Sequence, residues 1–289
     1  MRDHTGAGGG GDTEKSPEAK LEELYRLLGP YRKVILAFSG GVDSTFLLRV
    51  LKEDPDRQLL AVTALSSTYP QRQRQEAREL AHSIGVAHLE IETDEIRLDG
   101  FRGNPPDRCY YCKRELFSRL EALRLERGYD IVMDGSNYDD TADYRPGMRA
   151  CKELKVISPL QECGMTKADI RHLSRTLGLP TWDKPSFACL SSRFPYGTEI
   201  TEGALRQIDR CEGFLAERIK GHVRVRYHGP VARIEVEPWA IPHVLALREE
   251  IIEFFTTQGF TYVTLDLEGY RTGSMNEVLL PGRERDGRL

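Results

Sequence analysis

Apolar residues recur along this chain in two rhythms, and the rhythms divide it. Short apolar runs stand at 33–38 (KVILAF) and 58–64 (QLLAVTA), and further strands are read at 87–92 and 130–133. The first two have the length of a strand buried on both faces. Stretches with helical spacing lie between them, at 45–51, 71–84 and 111–127, and an amphipathic segment at 17–28 precedes the first strand. Strand, loop, helix and strand in repetition predict a parallel sheet of four or five strands. A helix over 167–177 follows.

Pro180, Pro185 and Pro195 then punctuate a stretch too rich in proline for regular structure. Beyond it the order changes: a helix at 202–219, strands at 223–227 and 232–237, a helix at 241–258 and a strand at 262–267 describe a smaller α+β unit. The expected organisation is an α/β unit over 20–180, a smaller α+β unit over 181–280, and tails at 1–19 and 281–289. The GAGGGG run near the start, set among scattered charges, cannot bury enough apolar surface to offset its ordering entropy, which predicts a disordered tail.

Bulk properties narrow the function classes. A length of 289 residues suits two domains, and a formal net charge of −4 argues against binding nucleic acid by charge alone. No run approaches the roughly 18 apolar residues of a membrane span, and no apolar signal core is present, so a cytoplasmic location is expected. In that reducing compartment the six cysteines read as ligands, nucleophiles or small core residues rather than as a disulfide framework.

The first predicted strand runs directly into Ser39-Gly40-Gly41-Val42-Asp43-Ser44, with a helix behind it. This arrangement offers backbone N–H groups at a helix N-terminus to an anion, and the two glycines let the chain approach phosphate oxygens. Ser39 and Ser44 add hydroxyl donors. Asp43 would be repelled by phosphate unless a divalent cation lay between them, so it is assigned to Mg2+. The GK[ST] ending of a Walker sequence is missing, which argues against γ-phosphate transfer. SGGVDS resembles the pyrophosphate loop of the ATP-pyrophosphatase superfamily. That resemblance implies ATP cleavage between the α- and β-phosphates and an adenylated intermediate.

Cys109 and Cys112 lie in DRCYYCKREL at the start of a predicted helix, where the dipole favours a thiolate. Cys189 lies in KPSFACLSSR within the proline-rich loop. Three thiolates without a fourth ligand suit a [4Fe-4S] cluster with one iron left open, whereas a structural zinc site fills four positions. Half of a zinc knuckle and a redox pair are the other readings of the CxxC pair. Cys151, Cys163 and Cys211 default to small buried residues.

Several longer stretches, DGSNYDDTADYRPG, SPLQECGMTKADIRHLSRTLGLPTWDKPSFACLSSRFPYGTEIT and VRVRYHGPVARIEV, together with SGGVDS, resemble the LarE family of ATP-dependent sulfur transferases that make the nickel-pincer nucleotide of lactate racemase. The resemblance covers about residues 20 to 280. It implies a Rossmann-like sheet of the adenine nucleotide alpha hydrolase type and a pyridinium-3,5-biscarboxylic acid mononucleotide acceptor. A carboxylate of that acceptor is adenylated and then converted to a thiocarboxylate. In one branch the cysteine matching Cys189 is a sacrificial sulfur donor that ends as dehydroalanine. In another it joins a CxxC pair, here Cys109 and Cys112, to hold a [4Fe-4S] cluster relaying sulfide from a separate donor. The presence of the pair favours the cluster branch.

Alternation along the strand sets Arg224 and Arg226 on one face, as a fork for the substrate phosphate, with Arg193 assisting. Asp134, Gly135, Asp140, Asp143 and Arg145 follow a strand end and are expected at nucleotide or substrate contacts. Glu212 and Glu235 are placed as further cation-positioning groups, and Lys184 beside the adenylate. The family also implies a homo-oligomer built from trimers, up to a hexamer, with no nucleic acid and no membrane among its partners. A tRNA thiolase of the same superfamily, an ATP-binding iron–sulfur sensor without turnover and an amide-forming synthetase are the competing classes.

Overall fold

Strand β1 (Lys33–Ala37) is the hinge of the architecture. Its side chains alternate between two apolar layers, Val34 and Leu36 on one face and Ile35 on the other. A computed structural model describes residues 15–141, 146–185, 188–271 and 274–275, and the rest of both tails lies outside them. β1 pairs in parallel with β2 (Gln58–Leu65) on one side and β4 (Ile131–Met133) on the other, and β3 (Ala87–Glu92) completes the sheet in the order β3-β2-β1-β4. Leu36 stands opposite both Ala61 and Met133.

Helix α1 (Pro17–Leu28), α2 (Val42–Leu51) and α3 (Gln71–Ile84) are followed by a short α4 (Asp99–Arg102) and the long α5 (Arg108–Arg127). Phe46 and Leu47 of α2 pack with Leu24 of α1 on one face of the sheet. Phe117 and Leu120 of α5 cover the other with Leu60 and Val62. After β4 come α6 (Gly147–Glu153), α7 (Pro159–Glu162) and α8 (Lys167–Thr176). A capping box at Thr166 and Asp169 starts α8, and Lys20 of α1 reaches Asp169 at 2.7 Å.

Chain connections leave β1 toward β2 and β3 but return beside β1 as β4, so the strand order reverses there. In open α/β sheets ligands bind at such a switch point, outside the C-terminal strand ends. The ends concerned carry residues 39–44 and 134–137.

The second sheet is small: β5 (Val223–His228) and β6 (Val231–Val236) form a hairpin, and β7 (Tyr262–Leu265) joins β6 in parallel. α9 (Glu202–Ala216), α10 (Ile241–Ala246) and α11 (Arg248–Thr257) accompany it. The fold is thus α/β, a parallel Rossmann-like sheet with a smaller α+β sheet, as the alternation predicts. Its second core also takes in Phe101 and Leu190, so packing crosses the proline-rich connection. The single helix expected over 241–258 is two helices that meet at Leu247, whose N–H is shared between the His243 and Val244 carbonyls. Among the described residues no helix is long and apolar enough to cross a membrane.

A buried ion pair ties this second core to the loop before it. Arg193 is fully buried and grips Glu212 of α9 with Nε and Nη2, each at 2.8 Å, while Glu212 Oε1 also accepts the Val225 N–H at 2.9 Å. Burial disfavours the Glu212 charge, but Arg193 outweighs it and holds the carboxyl below its ordinary 4.5. The sign follows: its stabilisation is full above pH 4.5 and is lost as pH falls through the lower folded value. Glu212→Gln leaves a buried guanidinium uncompensated and should cost roughly 3–5 kcal/mol in urea unfolding at pH 7. The gap between wild type and variant should close progressively under acid, and a gap that stayed constant would contradict this account.

Candidate active site

The phosphate loop is shaped by close backbone approaches. Gly40 has φ +62, and a Cβ there would stand 3.0 Å from Ala77 Cα of α3. The loop can therefore lie against α3 only with glycine at that position. On the other side a Cβ at Gly135 would come within 2.9 Å of the Ser44 backbone nitrogen. Gly41 caps α2 without a side-chain hydrogen bond, leaving first-turn N–H groups for an anion. The helix starts three residues earlier than its apolar spacing predicts, which is what puts Asp43 and Ser44 in that turn. Ser39 and Ser44 hydroxyls lie 3.0 Å apart, and Tyr69 donates to the Ser39 carbonyl. Lys184 Nζ donates to the Gly40 carbonyl at 2.9 Å and pairs with Glu76 at 2.8 Å. Lys184 thus contacts the phosphate loop directly.

Asp43 faces Asn137, which follows β4. Asn137 Nδ2 donates to Asp43 Oδ2 at 3.2 Å, and Lys167 Nζ contacts the same oxygen. The other oxygens, Asp43 Oδ1 and Asn137 Oδ1, are both buried with no donor. A buried acceptor without a partner calls for a ligand, and two oxygens on neighbouring side chains suit a hard divalent cation. Asp140 supports the arrangement by accepting the Asn137 N–H at 3.1 Å.

Asp134 is also buried. It accepts from Ser158 Oγ at 2.6 Å and Ser136 Oγ at 2.7 Å and pairs with Lys113 Nζ at 3.2 Å. Burial opposes its charge, yet Lys113 and the two serines prevail and hold the carboxyl below the usual range. Lys113 directly follows Cys112, so this pair pins the cysteine-bearing start of α5 to the end of β4. Asn137, Lys113 and Lys167 went unmarked in the sequence reading. Asn137 carried a usable signal, standing within the DGSNYDD stretch just after a strand.

Cys109 is exposed and Cys112 half-buried in the first turns of α5. Cys189 is half-buried and precedes the 3-10 turn Leu190–Arg193. Its carbonyl accepts from Ser192 Oγ at 2.8 Å and Arg193 Nη1 at 3.1 Å, and the next N–H, of Leu190, donates to the Thr68 carbonyl at 2.9 Å. Burial raises the Cys112 thiol well above its ordinary value, and Glu95, Cys189 and Cys109 push it the same way. The three cysteines therefore share one electrostatic neighbourhood. Glu95, unmarked in the sequence, is buried there and accepts from Thr68 Oγ1 at 2.7 Å. Among the described residues no three His, Cys, Asp or Glu side chains are grouped to hold one metal ion.

The remaining positions divide differently from the pattern read in the sequence. Arg226 is buried, donating to Glu235 at 2.6 Å and to the Ser192 carbonyl at 3.0 Å. Arg224 donates to the Val223 carbonyl and lies over the Tyr270 ring at 5.4 Å. Glu212 serves Arg193, and Glu235 serves Arg226 and Arg233. The carboxylates placed as cation-positioning groups are thus engaged by arginines, because strand alternation assigns a face without telling what covers it. Asp143 and Arg145 lie outside the described residues. Cys151 and Cys211 are buried, and burial lifts their thiols to about 11 and about 12.

The comparisons agree with this geometry. The family model described as queuosine biosynthesis protein QueC matches residues 33–102, the part holding β1, the phosphate loop and α3. An uncharacterized protein of Synechocystis sp. is 43% identical over 91% of this chain and 98% of its own length. The pyridinium-3,5-bisthiocarboxylic acid mononucleotide synthase of Lactiplantibacillus plantarum is 36% identical over 90% of this chain and 95% of its own. An uncharacterized protein of Methanocaldococcus jannaschii is 33% identical over 83% and 92%. With a phosphate loop at the switch point and relatives matched over nearly their whole length, this chain is an ATP-using enzyme of the PP-loop ATP-pyrophosphatase superfamily and belongs to the family of LarE-like pyridinium nucleotide enzymes.

Proposed function

We propose that this protein uses ATP to convert a carboxylate of pyridinium-3,5-biscarboxylic acid mononucleotide into a thiocarboxylate. The observation that carries the reading is that the phosphate loop and the Cys189 segment are joined: Lys184 holds the Gly40 carbonyl, and Leu190 hangs on Thr68. The name of the Lactiplantibacillus plantarum relative supports the choice of acceptor.

A carboxylate is a poor electrophile because oxide is a poor leaving group. In the first step an acceptor carboxylate oxygen attacks the α-phosphorus of ATP, and the bond to the β-phosphate breaks to release pyrophosphate. The N–H groups opening α2 and the hydroxyls of Ser39 and Ser44 are set to bind the phosphates. Asp43 Oδ1 and Asn137 Oδ1 would hold Mg2+, which neutralises phosphate charge. In the second step sulfur attacks the acyl carbon, and the C–O bond to AMP breaks. Cys109, Cys112 and Cys189 would hold a [4Fe-4S] cluster, whose chemistry would be to supply sulfide taken from an external donor. A second reading needs Cys189 alone, without a trio of metal-spaced ligands. In it the Cys189 thiolate forms a thioester with the acyl group, loss of the Cys189 α-proton drives cleavage of its Cβ–S bond, and dehydroalanine remains.

Pyrophosphate release should require both ATP and the dicarboxylate mononucleotide, and Asp43→Asn should suppress it. Release without that acceptor, or with tRNA in its place, would overturn the assignment. Anaerobic reconstitution should load about four irons per chain, lost in Cys109→Ala or Cys112→Ala, with the mass of Cys189 unchanged after turnover. No iron, together with Cys189 lighter by one hydrogen sulfide, would establish the sacrificial route instead. Gly135→Ala drives a methyl group into the Ser44 backbone, an overpacking of about 1–3 kcal/mol. It should weaken ATP binding by roughly tenfold or more in calorimetry; unchanged affinity would show that the loop can yield.

A further inference from the structure

A cavity of about 670 Å3 opens between α3 and α9, where the parallel-sheet unit meets the α+β unit. Its wall is cationic. Arg72, Arg74 and Arg78 of α3 and Arg210 of α9 line it, against the carboxylates Glu90 and Asp209, in a chain whose formal net charge is −4. Helix α3 divides its surface accordingly. Ala77 and Ala81 are buried in the core beside the phosphate loop, whereas positions 71, 74, 75 and 78, spaced along one helical face, turn to the cavity.

Two of the four arginines already have partners. Arg78 forms a forked pair with Glu90 at 2.8 Å, and Arg72 pairs with Glu76 at 3.0 Å. Among the described residues Arg74 enters no salt bridge within contact distance, although Asp209 feels its charge, and Arg74 Nε is buried without an acceptor. Arg74 itself is half-buried, and one buried guanidinium N–H with nothing to bond is costly; with the rest of the group lining a cavity, it points to a missing anion. Arg210 is exposed, and its hydrogen bond to Gln258 is long at 3.4 Å. The N-terminus of α3 adds to the field. Pro70 caps this 14-residue helix with no side-chain hydrogen bond, and the Gln71 N–H, which opens toward the cavity, has only a 3.4 Å contact with Asp209. Helix dipole, an unsatisfied guanidinium N–H and a cationic lining thus converge on one space.

We propose that this cavity is a second anion site, separate from the phosphate loop, that takes a phosphate-bearing ligand of nucleotide size through Arg74 and Arg210. The proposal goes beyond the sulfur-transfer reading and does not depend on it. Two sources share the chemistry: pyrophosphate leaving the phosphate loop, and a mononucleotide arriving as acceptor.

The test is calorimetry on the full chain with Mg2+ and the phosphate loop saturated by an ATP analogue carrying a methylene between the α- and β-phosphates. Inorganic pyrophosphate and nicotinamide mononucleotide are titrated separately. At least one should bind at one site per chain, with affinity falling as salt rises, and the one that binds identifies the source. Arg74→Gln and Arg210→Gln should each weaken that binding by roughly tenfold, the loss of about one charged hydrogen bond. Arg206→Gln, on the same helix but outside the cavity lining, should leave it unchanged. Because Arg210 is exposed, its substitution reads the site even if Arg74→Gln compromises folding. No binding once the analogue is in place, or binding indifferent to both substitutions, would overturn the proposal.

Discussion

Arg193 spends a full positive charge in a place without water. Its guanidinium holds Glu212 on one side and the Ala188 and Cys189 carbonyls on the other, at 2.7 and 3.1 Å. Glu212 in turn accepts from Val225 of β5. One buried ion pair therefore fixes a proline-rich segment, a helix and a strand to one another. An ion pair of this kind is poor evidence of net stability, because apolar groups of the same volume often do as well. What it provides is position: a backbone run rich in turns is held by directional bonds, and Cys189 is part of that run.

The phosphate loop reaches its shape by the opposite means. There, side chains are removed rather than added. Gly40 and Gly135 let α3 and the segment after β4 close on residues 39–44 from two sides, and a methyl group at either position would meet backbone within about 3 Å. The two solutions meet along residues 66–69, where Tyr69 contacts the phosphate loop and Thr68 holds Leu190. This shared segment ties the phosphate loop and the Cys189 segment into one frame, so that groups on either side keep a fixed spacing.

The sequence was most legible where periodicity and chain chemistry agree. α1, α3 and β3 begin and end where their apolar spacing says, because each has a clear polar or glycine boundary. The helix over 241–258 shows the limit: apolar periodicity runs on through Leu247, although local hydrogen bonding breaks the helix there. For the site, SGGVDS could be read because phosphate binding is a property of the backbone in a short contiguous stretch. Arg226 and Glu235 could not, since whether opposed charges on paired strands meet a ligand or each other depends on the Leu190–Arg193 turn lying over them. Glu95 was hidden for the same reason. It looks like an ordinary charged residue until the fold buries it against Ser66 and Thr68.

Lys184 and Leu190 bracket Cys189 at two fixed points, the Gly40 carbonyl and the Thr68 carbonyl. Cys189 stands five positions after Lys184, a reach of at most roughly 18 Å of extended chain, and directly precedes its other anchor, Leu190. The thiol is thus leashed at both ends. Its travel is bounded by covalent geometry before any energy is considered, so it can turn in place between neighbours but cannot serve as a swinging arm. A molecule that is to meet this thiol must therefore come to it, because the thiol has no reach of its own.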